Sequence, residues 1–150
     1  MRYMVIVKST PETEQMEMPP EAMTEMFATM GRYNEQLAEA GVMLAGEGLV
    51  PSTEGFKVRF DGEERSVIDG PFTEAKELIA GWWIFQVDSR QEAIEWIQKA
   101  PFGGVPGGFE LDVRRIAENE DFGEAFTPEL REQEDRIRAK VKANRDATGR

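Results

Sequence analysis

Apolar residues recur along this chain with two periods, and the switches between them mark out its elements. Arg2–Lys8 (R-Y-M-V-I-V-K) alternates and is rich in β-branched residues, which predicts a first strand. Ser9–Pro20 is polar with three prolines and predicts a loop, with Met16 and Met18 placed to fold back over apolar surface. From Pro19-Pro20-Glu21 the spacing becomes helical. Met23, Met26, Phe27, Met30, Tyr33 and Leu37 follow one another at intervals that put them near one face, and they are expected in the core. Gly41 is a natural stop for this helix. Gly31 sits inside it at a cost in helix propensity, which implies close approach of another backbone.

Val42–Val50 returns to a strand pattern, broken by Gly46 and Gly48 around Glu47. Phe56–Phe60 alternates, Asp61-Gly62 is a hairpin turn signal, and Arg65–Ile68 comes back as the partner strand with Asp69 at its end. Leu78–Val87 is a long apolar run suited to the centre of a sheet. Ser89-Arg90-Gln91-Glu92 fits a capping box that opens a helix burying Ala93, Ile94 and Ile97, with Trp96 on its flank. Ala100–Gly108 is a Gly/Pro loop. Phe109–Ile116 alternates as a last strand, with Phe109, Leu111 and Val113 on one face and Glu110, Asp112 and Arg114 on the other. After a linker (Glu118–Phe126), Thr127-Pro128-Glu129 caps a charged helix from Leu130 to about Lys142. Its large apolar residues are Leu130, Ile137 and Val141, a stripe too thin to hold a helix on a core by itself.

The order β-α-β, hairpin, β-α-β predicts an α+β fold: a ferredoxin-like α/β sandwich with an antiparallel sheet over residues 1–118, followed by a linker and charged helical tail over 119–150. Helices would cover one sheet face. The other, carrying Trp82 or Trp83, would stay open, and a large open apolar face argues for association. Two such sheets packed face to face give a homodimeric α/β barrel with an internal cleft. The tail is expected to pack on a partner subunit or to be loosely attached.

Composition narrows the chemistry. The 150 residues contain no cysteine and no histidine. Disulfides, thiolate catalysis, iron–sulfur clusters, imidazole ligands and the Ser-His-Asp triad are therefore excluded. Any catalysis would use carboxylates, lysine, tyrosine, arginine, hydroxyls or backbone amides. No metal or other cofactor is expected. The net charge of −11 opposes direct nucleic-acid binding and anionic membrane surfaces. No apolar run reaches bilayer length and the N-terminus lacks a secretory pattern, so a cytoplasmic location is expected.

The densest grouping of chemistry is V-I-D-G-P-F-T-E-A-K-E-L-I-A-G-W-W, residues 67–83. Asp69 is the candidate acid or base if a cleft desolvates it; otherwise its carboxylate caps the amides of its own turn. Phe72 and Lys76 stand beside it, the lysine either anchoring an anionic ligand or lying exposed. Glu47, between two glycines, is a second candidate carboxylate or an ordinary loop acid. Glu110 and Arg114 share a strand face, lining the cleft or pairing with each other. Trp82 and Trp83 point to opposite faces, and Trp83 is taken with Glu47, Phe72, Lys76, Glu110 and Arg114 as ligand-binding. Gly103-Gly104 and Gly107-Gly108 do not make a phosphate loop.

The pieces R-Y-M-V-I-V-K, A-G-V-M-L-A-G-E-G-L-V-P (40–51), D-G-P-F-T-E-A-K-E-L-I-A-G-W-W (69–83), S-R-Q-E-A-I-E-W (89–96) and G-F-E-L-D-V-R (108–114) resemble the YCII-related family, in particular its DGPF-motif branch. The resemblance implies a ferredoxin-like fold that dimerises through its sheets around a polar cleft. Some relatives carry a His–Asp pair in that cleft, which this histidine-free chain cannot use. It also implies a possible regulatory setting near sigma factors and no established reaction. Three functional readings follow: a binder of a small organic ligand in a dimer cleft, an enzyme using Asp69 on a small anionic substrate, and a protein-interaction module.

Overall fold

The computed structural model describes residues 1–104 and 109–149. The start of the last family-like segment, at Gly108, and the Gly107-Gly108 pair lie outside the described residues. Two compact units are present, 1–116 and 117–150.

In the first unit, strands β1 (Arg2–Lys8), β2 (Met43–Gly48), β5 (Ile79–Gln86) and β6 (Leu111–Arg115) form one sheet in the order β2-β5-β1-β6. Every neighbouring pair is antiparallel. With helices α2 (Pro20–Glu39) and α3 (Arg90–Ile97) as crossovers, this is the ferredoxin-like α+β arrangement that the pattern predicts. The apolar run containing β5 lies inside the sheet, flanked on both edges, as its composition requires. Strands β3 (Phe56–Asp61) and β4 (Glu64–Asp69) form a separate two-stranded hairpin, turned at Gly62 with φ +57°.

Period-two alternation sorts the sheet faces. Tyr3 and Val5 of β1 and Gly81, Trp83 and Phe85 of β5 point to the helices, where they meet Tyr33, Leu37, Val42, Val87 and Ala93 in the core. Trp83 is the hub of this layer. Its ring meets Tyr33 edge-on at 5.9 Å between centroids, and its Nε1 donates to Asn34 Oδ1 at 3.0 Å. Gly46 is glycine because a Cβ there would lie 2.5 Å from Trp83 Cδ1. The opposite face carries Met4 and Ile6 paired across from Ile84 and Trp82, all half-buried. Core packing thus selects Trp83, and Trp82 takes the other face.

Several expectations change. Met23, Met26 and Phe27 are exposed, not core. A 20-residue helix is about 30 Å long, and only the half bearing Met30, Tyr33 and Leu37 reaches the core. A Cβ added at Gly31 would have nothing within 4 Å, so no backbone approaches it. Within the loop read at Ser9–Pro20 a one-turn helix forms, α1 (Pro11–Glu14), because Thr10 and Thr13 satisfy each other's amides in a reciprocal cap. Met16 is exposed. Ser89 Oγ accepts from the Glu92 amide, while the Glu92 carboxylate accepts from Asp88 rather than from Ser89. The last strand is shorter than its alternating run, since Phe109 leaves the ladder to stack on Phe102 at 4.3 Å.

In the second unit, the segment read as a linker takes up short 3-10 turns over Asn119–Ala125, broken at Gly123, and α4 runs from Pro128 to Thr148. Thr127 caps it by accepting from the Leu130 amide. Leu130, Ile137 and Val141 are exposed. Its length beyond Lys142 agrees with Arg145 in the last turn, where a cation suits the helix dipole.

Tyr33 supplies a pH test of the core. Its hydroxyl donates to the Trp96 carbonyl at 3.0 Å, and burial pushes the phenol up to about 12. A raised phenol favours the fold below its unfolded value near 10, and that contribution disappears as pH rises through about 12. Unfolding at stepped alkaline pH should show stability falling in this window. Tyr33→Phe should lose about 1 kcal/mol at neutral pH and lack most of the alkaline loss; an identical alkaline profile in the variant would show that Tyr33 is not the group responsible.

Candidate functional site

The Asp-Gly-Pro-Phe stretch follows β4 directly, and its local structure is set by what it docks against. Gly70 donates its amide to the Gly55 carbonyl at 2.8 Å. A Cβ at position 70 would fall inside the carbonyl oxygen of Ser52, so only glycine permits the approach. The Gly70–Pro71 bond is cis. The Phe72 amide then donates to Ser52 Oγ at 3.1 Å, and its ring lies 3.3 Å from where a Cβ of Gly55 would be.

Ser52 is the centre of this contact. It is buried in a short turn, Ser52–Glu54, and its amide and hydroxyl both donate to the Glu14 carboxylate, at 3.2 and 2.6 Å. Hydrogen bonds to an ionised acceptor are the stronger kind. Segments around residues 14, 52 and 72 are thus tied through one hydroxyl. Lys57 closes the outer side, pairing with Glu77 and standing 4.4 Å above the Phe72 ring.

The clasp borders a half-open cavity of about 240 Å³. Leu49, Val50, Pro51, Phe72, Leu78 and Ile79 give it an apolar lining; Glu14, Glu54 and Glu77 also border it, with the Glu14 carboxylate on Ser52 and that of Glu77 on Lys57. Leu78 is fully buried and fixed by its carbonyl, which accepts from the Ser9 amide at 3.1 Å. Chemically, the cavity can desolvate a small apolar group beside negative charge. No cluster of three or more potential metal-ligating side chains occurs among the described residues, and no described helix is long and apolar enough to cross a membrane.

Of the seven residues singled out from the sequence, only Phe72 lines the cavity. Asp69 is the exposed last residue of β4, opposite Phe56, and its carboxylate takes neither a hydrogen bond nor an ion pair among the described residues. It is therefore neither in the cavity wall nor capping its own turn. Lys76 is exposed, and it is its carbonyl that is used, accepting from Lys8 Nζ at 3.3 Å. Glu47 is exposed on edge strand β2 opposite Trp82, where its backbone crowds Gly81. Trp83 belongs to the core, because its indole completes the helix-facing layer. Glu110 lies outside β6 and Arg114 within it; both are exposed, and no ion pair joins them among the described residues. Sequence reasoning missed Ser52, Glu14, Glu77 and Lys57. The one local hint was Gly55 after Ser-Thr-Glu, a turn composition that gives no indication of its distant partners.

Comparison with known proteins matches residues 1–117 to the YCII-related domain. An uncharacterised protein of Rhizobium meliloti (strain 1021) is 31% identical over 95 residues, covering 63% of this chain and 73% of its own length. Among solved structures, 5-chloro-2-hydroxyhydroquinone dehydrochlorinase from Burkholderia phenoliruptrix, in complex with 2,5-dihydroxybenzoquinone, aligns with TM-score 0.44 and 17% identity, covering 79% of this chain and 95% of that one.

Gly70→Ala should destabilise the first unit by about 2 kcal/mol or more, since backbone rather than a movable side chain fills the space. Equilibrium denaturation measures this. Gly31→Ala, in open space, is the matched control; equal stabilities for the two variants would show that the Gly70 contact is not tight in solution.

Proposed function

This chain belongs to the YCII-related domain family, and from that premise we propose that it is a binding protein for a small apolar organic molecule. The observation that supports this is the cavity bordered by Phe72 and the Ser52 turn. At about 240 Å³ it is smaller than the cavities that take drug-sized ligands and suits a single ring or a short aliphatic chain. Among the described residues, three acidic residues border it against the single paired cation Lys57, a balance that disfavours an anionic ligand and leaves neutral or cationic ones. The apolar lining supplies affinity and the acids at the wall supply selection by charge.

The face carrying Met4, Ile6, Trp82 and Ile84 supports self-association: two copies pack sheet on sheet, with Glu47, Asp112 and Arg114 at the rim of the contact. The cavity itself is lined from one chain, so ligand binding does not require this pairing.

Benzyl alcohol, benzylamine and benzoate form a matched probe set, read by amide chemical shifts. The alcohol and the amine should perturb residues 49–55 and 72–79, and benzoate should bind at least about ten-fold more weakly. Val50 is exposed at the wall, so Val50→Trp should obstruct the cavity without disturbing the fold and abolish the response. Absence of shifts for all three probes, or equal binding of benzoate, would remove this reading. For the sheet contact, Trp82→Glu should shift the mass measured by light scattering toward the monomer; an unchanged mass would refute pairing through that face.

A further inference from the structure

The hairpin carries a feature that the cavity does not use. Its register opposes Phe56 to Asp69, Val58 to Val67 and Phe60 to Arg65, so these six side chains share one face. The alternate face is anchored at its base by Lys57 against Phe72 and Glu77. Among the described residues the six-residue face has no such cover: Phe56, Val58, Phe60 and Val67 are 65, 43, 68 and 66% exposed. Together these four present roughly 450 Å² of apolar surface, as large as the largest patch of an ordinary monomer. A lone two-stranded hairpin gains little stability by itself, so a bare apolar face on one is costly without a partner.

We propose that this face pairs with the same face of a second copy. The charges decide the geometry. Arg65 lies at the tip end and Asp69 at the base end of β4. A two-fold axis between the faces and perpendicular to the strands lays tip over base. Phe56 then meets the partner copy's residue 60, Val58 meets its own counterpart, Val67 meets its own counterpart, and Arg65 meets Asp69 twice. An axis along the strands would instead set each charge against a phenylalanine ring. The groups are available for this. Among the described residues, Arg65 is engaged through Nη1 on the carbonyls of Gly62 and Glu64, with its guanidinium 4.5 Å above Phe60, and the Asp69 carboxylate has no partner. The paired area is at most about 900 Å², below the range of stable specific interfaces, so the contact is weak and reversible. It is separate from the sheet-face contact and does not depend on ligand binding.

The absence of cysteine makes trapping clean in the full chain. Val58→Cys should form an intermolecular disulfide under mild oxidation about ten-fold faster than Ser66→Cys, which lies on the anchored face. Arg65→Glu and Asp69→Lys should each weaken hairpin trapping in the Val58→Cys background, and the double reversal should restore it. Both residues are exposed, so all variants should keep native circular dichroism. Equal trapping at 58 and 66 would overturn the proposal, as would a double variant that regains none of what the single variants lose. Trp82→Glu acts on the sheet contact alone, so its failure and failure of the hairpin pairing are separable.

Discussion

The approach of Gly70 to the Ser52 carbonyl is the constraint on which this end of the molecule depends. It lets the Phe72 amide donate to the Ser52 hydroxyl, which itself donates to the Glu14 carboxylate. Three segments, separated by 38 and 20 residues, are held by that one side chain. The cavity is a consequence: the ring of Phe72 and the turn at Pro51 stand apart because the backbone beneath them is fixed. The hairpin is carried on the same base, since Gly55 and Gly70 flank its two strands.

Much of the fold is legible in the sequence because it is written locally. Strand β1 shows itself by alternation and β-branching, β5 by its long apolar run, the hairpin by Asp61-Gly62, α2 by its Pro-Pro-Glu opening and helical spacing, and α3 and α4 by their caps. What is not legible requires knowing where elements end in space. The methionine stripe of α2 has helical spacing throughout, yet its first half projects past the core, and spacing carries no information about the reach of the sheet. The choice between Trp82 and Trp83 likewise turns on which residue finds Asn34 and Tyr33 across the helix layer.

The site is legible in outline only. The Asp-Gly-Pro-Phe segment borders the cavity through Phe72, and its structural role is carried by Gly70 and Phe72 rather than by the acid. Asp69 stands out in the sequence because carboxylates do chemistry; its neighbours Gly70 and Phe72 have their roles through contacts with a serine turn, itself held by a glutamate, that no local pattern links to them. An exposed acid opposite a phenylalanine, on a face ending in an arginine, has a simpler use in recognition between copies.

Amide hydrogen exchange in a Ser52→Ala variant tests the clasp most directly. Residues 49–56 and 70–79 should lose protection together, with 10–15 beside them, while the paired amides of β1 and β5 keep theirs. Loss confined to the immediate neighbours of residue 52 would contradict a clasp that holds three segments through one hydroxyl.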